Sequence, residues 1–190
     1  MALDADESAV RDWATKEQLT ITVLVDKLHI IADLYGIVNV PAAIWIDEND
    51  KIVRPADSVP GSDMFRSFTN VDSEVHHNLL RKWVRSGERD LDDVAVREFQ
   101  VKPSQDVQLA RLHRRIAIAL RERNQDGDDS ASREHLTRAE ALAPLDWTIR
   151  RGNMPLVGVD PFGDEFLKFV GEWSQAGRPG FKLGTGRVDN

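Results

Sequence analysis

Leu34-Tyr35-Gly36-Ile37-Val38-Asn39-Val40-Pro41-Ala42-Ala43-Ile44-Trp45-Ile46-Asp47-Glu48-Asn49-Asp50-Lys51-Ile52-Val53-Arg54-Pro55 is the stretch from which the rest of the chain can be read. Tyr35-Gly36 ends a helical pattern, because glycine just beyond the last apolar repeat is a common stop. A residue before proline is driven to extended backbone, so Val40-Pro41 gates a strand, and residues 42–46 form a short apolar run. Residues 47–50 supply turn chemistry, and residues 51–54 alternate as the second arm of a hairpin. The stretch therefore predicts a helix, a proline-gated strand and a return strand. It offers backbone to a partner at Val40, Pro41, Ala42, Ile44 and Trp45, and it contains no nucleophile.

Upstream, Ser8 is an N-cap candidate and Val10, Trp13 and Ala14 recur at helical spacing, which predicts a helix over residues 7–18. Residues 19–25 are β-branched and end at Asp26, a strand followed by a helix start. That helix, over 27–35, is expected to bury Leu28, Ile31, Ala32 and Leu34. Downstream, Pro60-Gly61 marks a loop over 56–69, with Met64, Phe65 and Phe68 available to pack on the sheet. Residues 71–85 follow as a helix capped by Asp72 or Ser73, with Val75, Leu79, Leu80, Trp83 and Val84 inward and Gly87 as its stop.

Residues 88–103 are charged and aperiodic and read as a linker. Beyond them the pattern is helical. Residues 106–122 carry Leu109, Leu112, Ile116, Ala119 and Leu120, and after a turn at 124–130, residues 132–143 carry Leu136, Ala139 and Ala143. A short helix over 146–151 opens with Trp147, and residues 161–176 place Phe162, Phe166, Phe169, Val170 and Trp173 on one face. Four glycines and a proline in residues 177–190 predict a flexible tail. The organisation expected is thus 1–87, a linker at 88–103, a helical region at 104–176 and a tail at 177–190.

With 190 residues and 41% hydrophobic side chains the chain has enough apolar material for a packed core. The longest apolar runs fall far short of a bilayer span, and the first residues lack the basic and apolar regions of a secretory signal, so the expected location is the cytoplasm, with no membrane partner. The net charge of -7 is concentrated early: residues 1–60 hold 11 acidic and 5 basic side chains, the remainder 21 and 20. No basic footprint of the kind that neutralises phosphates is present, so nucleic acid is not expected as a partner.

The chain contains no cysteine. That excludes disulfides, thiolate metal sites and every thiol mechanism. No metal or cofactor is expected either. His76 and His77 are adjacent and so point to different sides of a helix, His29, His113 and His135 are isolated, and residues 126–129 lack the glycine and glutamate positions of a calcium loop. Gly184-Thr185-Gly186 has no strand before it and no third glycine, so it is not a nucleotide fingerprint.

Residues 8–86 resemble the second half of a thioredoxin-like domain of the redoxin or membrane-anchored thiol-disulfide oxidoreductase type. The resemblance rests on Val25-Asp26, Leu34-Tyr35-Gly36-Ile37, Asn39-Val40-Pro41, Ile44-Trp45-Ile46-Asp47-Glu48 and Lys51-Ile52-Val53. It implies an α/β fold, a partial thioredoxin-like β-α-β-β-α unit, with a cis-proline at Pro41 and backbone groups at Val40 offered to an extended substrate. The family's Cys-x-x-Cys would lie before Ser8, where this sequence has none. Residues 106–144 are similar to one tetratricopeptide-type helix pair, with Ala139 and Pro144 at the spacing of that repeat.

The expectation is therefore a non-catalytic interaction or scaffold module that binds a protein partner or a second copy through the Pro41 loop and the edge of strand 42–46. The alternative is one part of a thiol-disulfide oxidoreductase or peroxide-reducing redoxin whose cysteine half lies upstream or on another chain. Because thiol-disulfide exchange needs an attacking thiolate, the purified chain should not accelerate insulin reduction by dithiothreitol above the buffer blank. A rate above that blank would refute the assignment.

Overall fold

A computed structural model describes residues 1–3, 6–57, 62, 63, 66 and 70–180. The chain is mixed α/β, mostly helical, with one two-stranded antiparallel sheet among the described residues. It divides into two units, Met1–Tyr35 and Gly36–Asn190.

In the first unit, helix α1 (Glu7–Lys16) is capped by Asp6, which accepts from the backbone N–H groups of Ser8 and Ala9. The strand expected over 19–25 does not form. Only Val25 pairs, in a single parallel bridge with Ala2, while Ile21 and Leu24 stand 73% and 59% exposed. A β-branched run becomes a strand only when a neighbour accepts its ladder, and among the described residues Ala2 alone offers one. An open groove of about 290 Å³ remains beside α1, lined by Val10, Ala14, Leu19, Ile21, Val23 and Val25 among others.

Helix α2 (Ile30–Leu34) is shorter than the expected 27–35. The carboxylate of Asp26 sets its phase by accepting from the N–H groups of Ile30 and Ala32, both at 2.8 Å. Ala32 is consequently buried, whereas Ile31 and Leu34 face outward.

The second unit opens on the hairpin, with β1 (Ala43–Ile46) antiparallel to β2 (Ile52–Asp57). Asp47 organises the turn, its Oδ1 accepting from the N–H groups of Asn49 and Lys51. The register pairs Ala43 with Asp57, Trp45 with Arg54 and Ile46 with Ile52, with an irregularity between each. β2 thus carries extra residues, one of them Pro55, which has no N–H to give a ladder.

Helix α3 (Ser73–Ser86) has the predicted cap at Asp72 and the predicted stop at Gly87, whose φ of 71° favours glycine. Its inward face is turned from the expected one: Val75 and Val84 are exposed and His76 is buried. Met64, Phe65 and Phe68 of the expected loop lie outside the described residues.

The span 88–103, expected as a linker, contains helix α4 (Asp93–Phe99), capped by Asp92 and packed against β2. Lys51 and Arg89 both hold Asp93, so this segment is clasped to the hairpin turn.

The rest is helical. α5 (Gln105–Arg123) and α6 (Asp128–Leu142) form the main helical hairpin; contacts of Arg123 with Asp128, Arg121 with Ser132 and His113 with His135 show that they run antiparallel. At the turn Asp128 is 4% exposed and accepts from Arg123 and from the Gln125 N–H, which holds its carboxyl down at about 2, Arg123 first. α6 buries Leu136 and Ala139 as its spacing predicts, but α5 does not use Leu109, Leu112 or Ile116, which are exposed. It buries Ala110, Arg111, Arg114, Ala117 and Ile118 instead. Ala110 and Ala117 allow close approach to Ala139 and Ser132, the Ser132 hydroxyl donating to Ala117 O at 3.1 Å. The arginine stems cover apolar surface while their heads find acceptors.

Helix α7 (Trp147–Asn153), a 3-10 turn (Pro155–Val157) and α8 (Asp164–Gln175) enclose a second core of Met154, Phe169 and Trp173, with Trp147 and Phe166 against it. Phe162 is left exposed, beneath the Arg151 guanidinium. Of the expected tail, residues 177–180 are described and are tied back by Trp173 Nε1 donating to Pro179 O at 2.9 Å; residues 181–190 lie outside the described set. No described helix is long and apolar enough to cross a membrane.

Asp146 joins these parts. Its Oδ1 accepts from the N–H groups of Thr148 and Ile149, and its Oδ2 pairs with Arg111 at 3.4 Å, both side chains almost buried. Asp146→Ala removes a cap and one carboxylate partner of a buried guanidinium, so it should cost about 2–4 kcal/mol in urea unfolding. Asp146→Asn retains a capping oxygen and should cost less; equal losses would show that the cap is not what matters.

Candidate functional site

The proposed partner-binding residues sit where the chain enters β1. The Val40-Pro41 bond is cis, as the resemblance implies, and Val40 is 53% exposed. Pro41 is exposed, and Ala42 and Ile44 are half-buried. Trp45 is only 5% exposed, so its ring lies inside rather than on the surface. Its ring stacks on Trp83 at 5.3 Å and 12° and meets the His76 ring edge-on at 5.4 Å. An indole between two strands and a helix buries more apolar area inside than it could at an edge.

Backbone direction defines the site better than side chains do. Asp47 N–H donates to Lys51 O at 3.0 Å, so its amide points toward β2. Alternation along an antiparallel strand then turns the amides of Trp45 and Ala43 the same way and those of Ile44 and Ile46 outward. Among the described residues no strand pairs with that outer side of β1. Ile46, 41% exposed, stands on it.

Behind the edge is a cluster that sequence reasoning missed. The Arg54 guanidinium lies over the Trp45 ring, 5.0 Å from its centroid, and pairs with Asp57 at 3.4 Å and with Asp90. Arg54 and Asp57 are each 2% exposed. One buried cation thus balances two carboxylates from different segments. The available signal was the hairpin register, which sets Arg54 opposite Trp45 on the same face.

His76 completes the cluster and His77 points away, half-exposed and 3.6 Å from Glu74, as adjacent helical positions dictate. Trp45 Nε1, Asp57 Oδ1 and His76 Nδ1 have no hydrogen-bond partner among the described residues. All three are enclosed, so the cluster braces the edge and presents no reactive group to solvent. Elsewhere the fold brings together His113 and His135, which are far apart in sequence. The chain matches no protein-family model, no curated protein and no solved structure.

Burial first, and Arg54 second, push the His76 imidazole below its ordinary value of 6.5. The unfolded chain then binds a proton that the folded chain resists, so stability from this group is complete above pH 6.5 and falls as pH drops below it. The urea midpoint should decline between pH 7.5 and 5.5, and His76→Phe, which keeps a ring against Trp45, should flatten that decline. Identical slopes would exclude His76 as a source of it.

Proposed function

We propose that the chain is a non-catalytic interaction module that takes up an extended segment of a partner chain by strand addition along the outer side of β1, beside Val40, Pro41 and Ala42. The observation that carries this reading is that β1 is paired on one side only among the described residues, with the amides of Ile44 and Ile46 directed away from β2. Strand addition draws its affinity from such main-chain groups and its selectivity from alternate side chains.

Three further features support it. No charged residue stands between Asp33 and Asp47, so nothing in β1 repels an incoming strand. The edge is backed by the Trp45, Trp83 and Arg54 packing, which fixes its shape before a partner arrives. The thioredoxin-like reading adds that residues before a cis-proline offer backbone to extended peptides, which gives Val40 its role. In this reading the module is cytoplasmic and its partner is a protein or a second copy.

Peptides selected against the chain from a random nine-residue library should slow hydrogen exchange at Ile44 and Ile46 more than at Trp45. Ile46→Pro deletes an outward N–H at an edge position that tolerates proline. It should weaken a selected peptide at least about tenfold, the loss expected for main-chain hydrogen bonds left unmade, with little change in the urea midpoint. Undiminished binding by that variant, or a library that yields no binder, would overturn the proposal.

A further inference from the structure

The contact between His113 of α5 and His135 of α6 is of a kind that a helical hairpin does not need for packing. Neighbouring layers are closed by small residues, Ala110 with Ala139 and Ala117 with Ser132, whereas this layer sets two half-buried imidazoles face to face. Their Nδ1 atoms are 2.7 Å apart, the ring centroids 4.9 Å apart and the planes inclined by 39°. In the neutral pair one Nδ1–H donates to the other Nδ1. With that proton carried on Nε2 of the same ring instead, two Nδ1 lone pairs are aimed into one gap.

We propose that His113 and His135 form a two-histidine chelate for a divalent first-row cation of right-angled coordination, the Ni²⁺ or Cu²⁺ class, which ties α5 to α6. Two nitrogens about 2.1 Å from a metal and 90° apart are about 3.0 Å from each other, whereas a tetrahedral ion would need about 3.4 Å. The observed gap opens by a few tenths of an ångström for the first and by much more for the second. Each ring also turns so that its lone pair meets the ion, and partial exposure leaves room for that turn.

On binding, two Nδ1–metal bonds replace two metal–water bonds, and the shared Nδ1 proton is replaced by one taken up at Nε2 of the same ring, so both imidazoles stay neutral and no net proton is lost. Arg138 does not face the ion unopposed, since its guanidinium is held by Glu134. No group of three or more acidic, histidine or cysteine ligands occurs among the described residues, so water fills the remaining positions.

The full chain titrated with Ni²⁺ at pH 8 should bind one ion with no net proton release, because the Nδ1 proton only exchanges for one on Nε2 of the same ring. Thermal unfolding should rise by about 5 °C at roughly a hundredfold excess over Kd. His113→Gln and His135→Gln preserve a hydrogen bond across the gap but not the chelate, and each should weaken Ni²⁺ at least about tenfold, the scale on which loss of one strong ligand is felt. In the unsubstituted chain, Ni²⁺ should broaden the ring proton signals of His113 and His135 before those of His29, His76 and His77, a readout independent of whether the variants fold. Absence of binding, undiminished binding by either variant, or broadening first at another histidine would each overturn the proposal.

Discussion

The buried guanidinium of Arg54 is the constraint on which the hairpin and its surroundings depend. It reaches Asp57 within its own strand and Asp90 in the segment between α3 and α4, while its flat face covers Trp45. A two-stranded hairpin alone is marginal in water. Here a charge that cannot be left unpaired recruits two carboxylates, and the ring beneath it recruits α3 through Trp83 and His76. Removing either kind of partner leaves a buried ion or a cavity, so the cluster specifies one arrangement of hairpin, helix and following segment.

That arrangement makes the two strands unequal. β2 is buried along most of its length, at Val53, Arg54, Pro55 and Asp57, with α4 packed against it. β1 is anchored by Trp45 and is half-open elsewhere. The outer edge of β1 is therefore the more open of the two, and the direction of its backbone groups follows from the turn that Asp47 closes. The expected contribution of Trp45 was backbone, and its ring packs inward as a foundation for the hairpin.

Much of this was legible in the residues. The hairpin turn, Gly87, the cap at Asp72, and Leu136 with Ala139 all follow local rules, because capping and turn chemistry act within a few residues. What failed depends on distant neighbours. Residues 19–25 have strand composition but, among the described residues, only Ala2 to pair with, and hydrophobic periodicity mis-set α5 by counting Leu109, Leu112 and Ile116 over the alanines that decide how closely two helices approach. Arg54, Asp90 and the histidine pair were illegible for the same reason: buried charge and facing imidazoles are matched across 22 to 36 residues of chain, and no local pattern records the partner.

An apolar, uncharged edge is also a hazard, since it templates indiscriminate association. The hazard is contained here by geometry. β1 is only four residues long, proline precedes it, Asp47 and Glu48 follow it, and the register irregularities opposite it bend the ribbon. A long flat partner would meet the proline at one end and the carboxylates at the other, and only a short extended segment fits between. If a segment does add to β1, as proposed, its selectivity would come from where pairing must stop, and the two outward amides of Ile44 and Ile46 would fix its register.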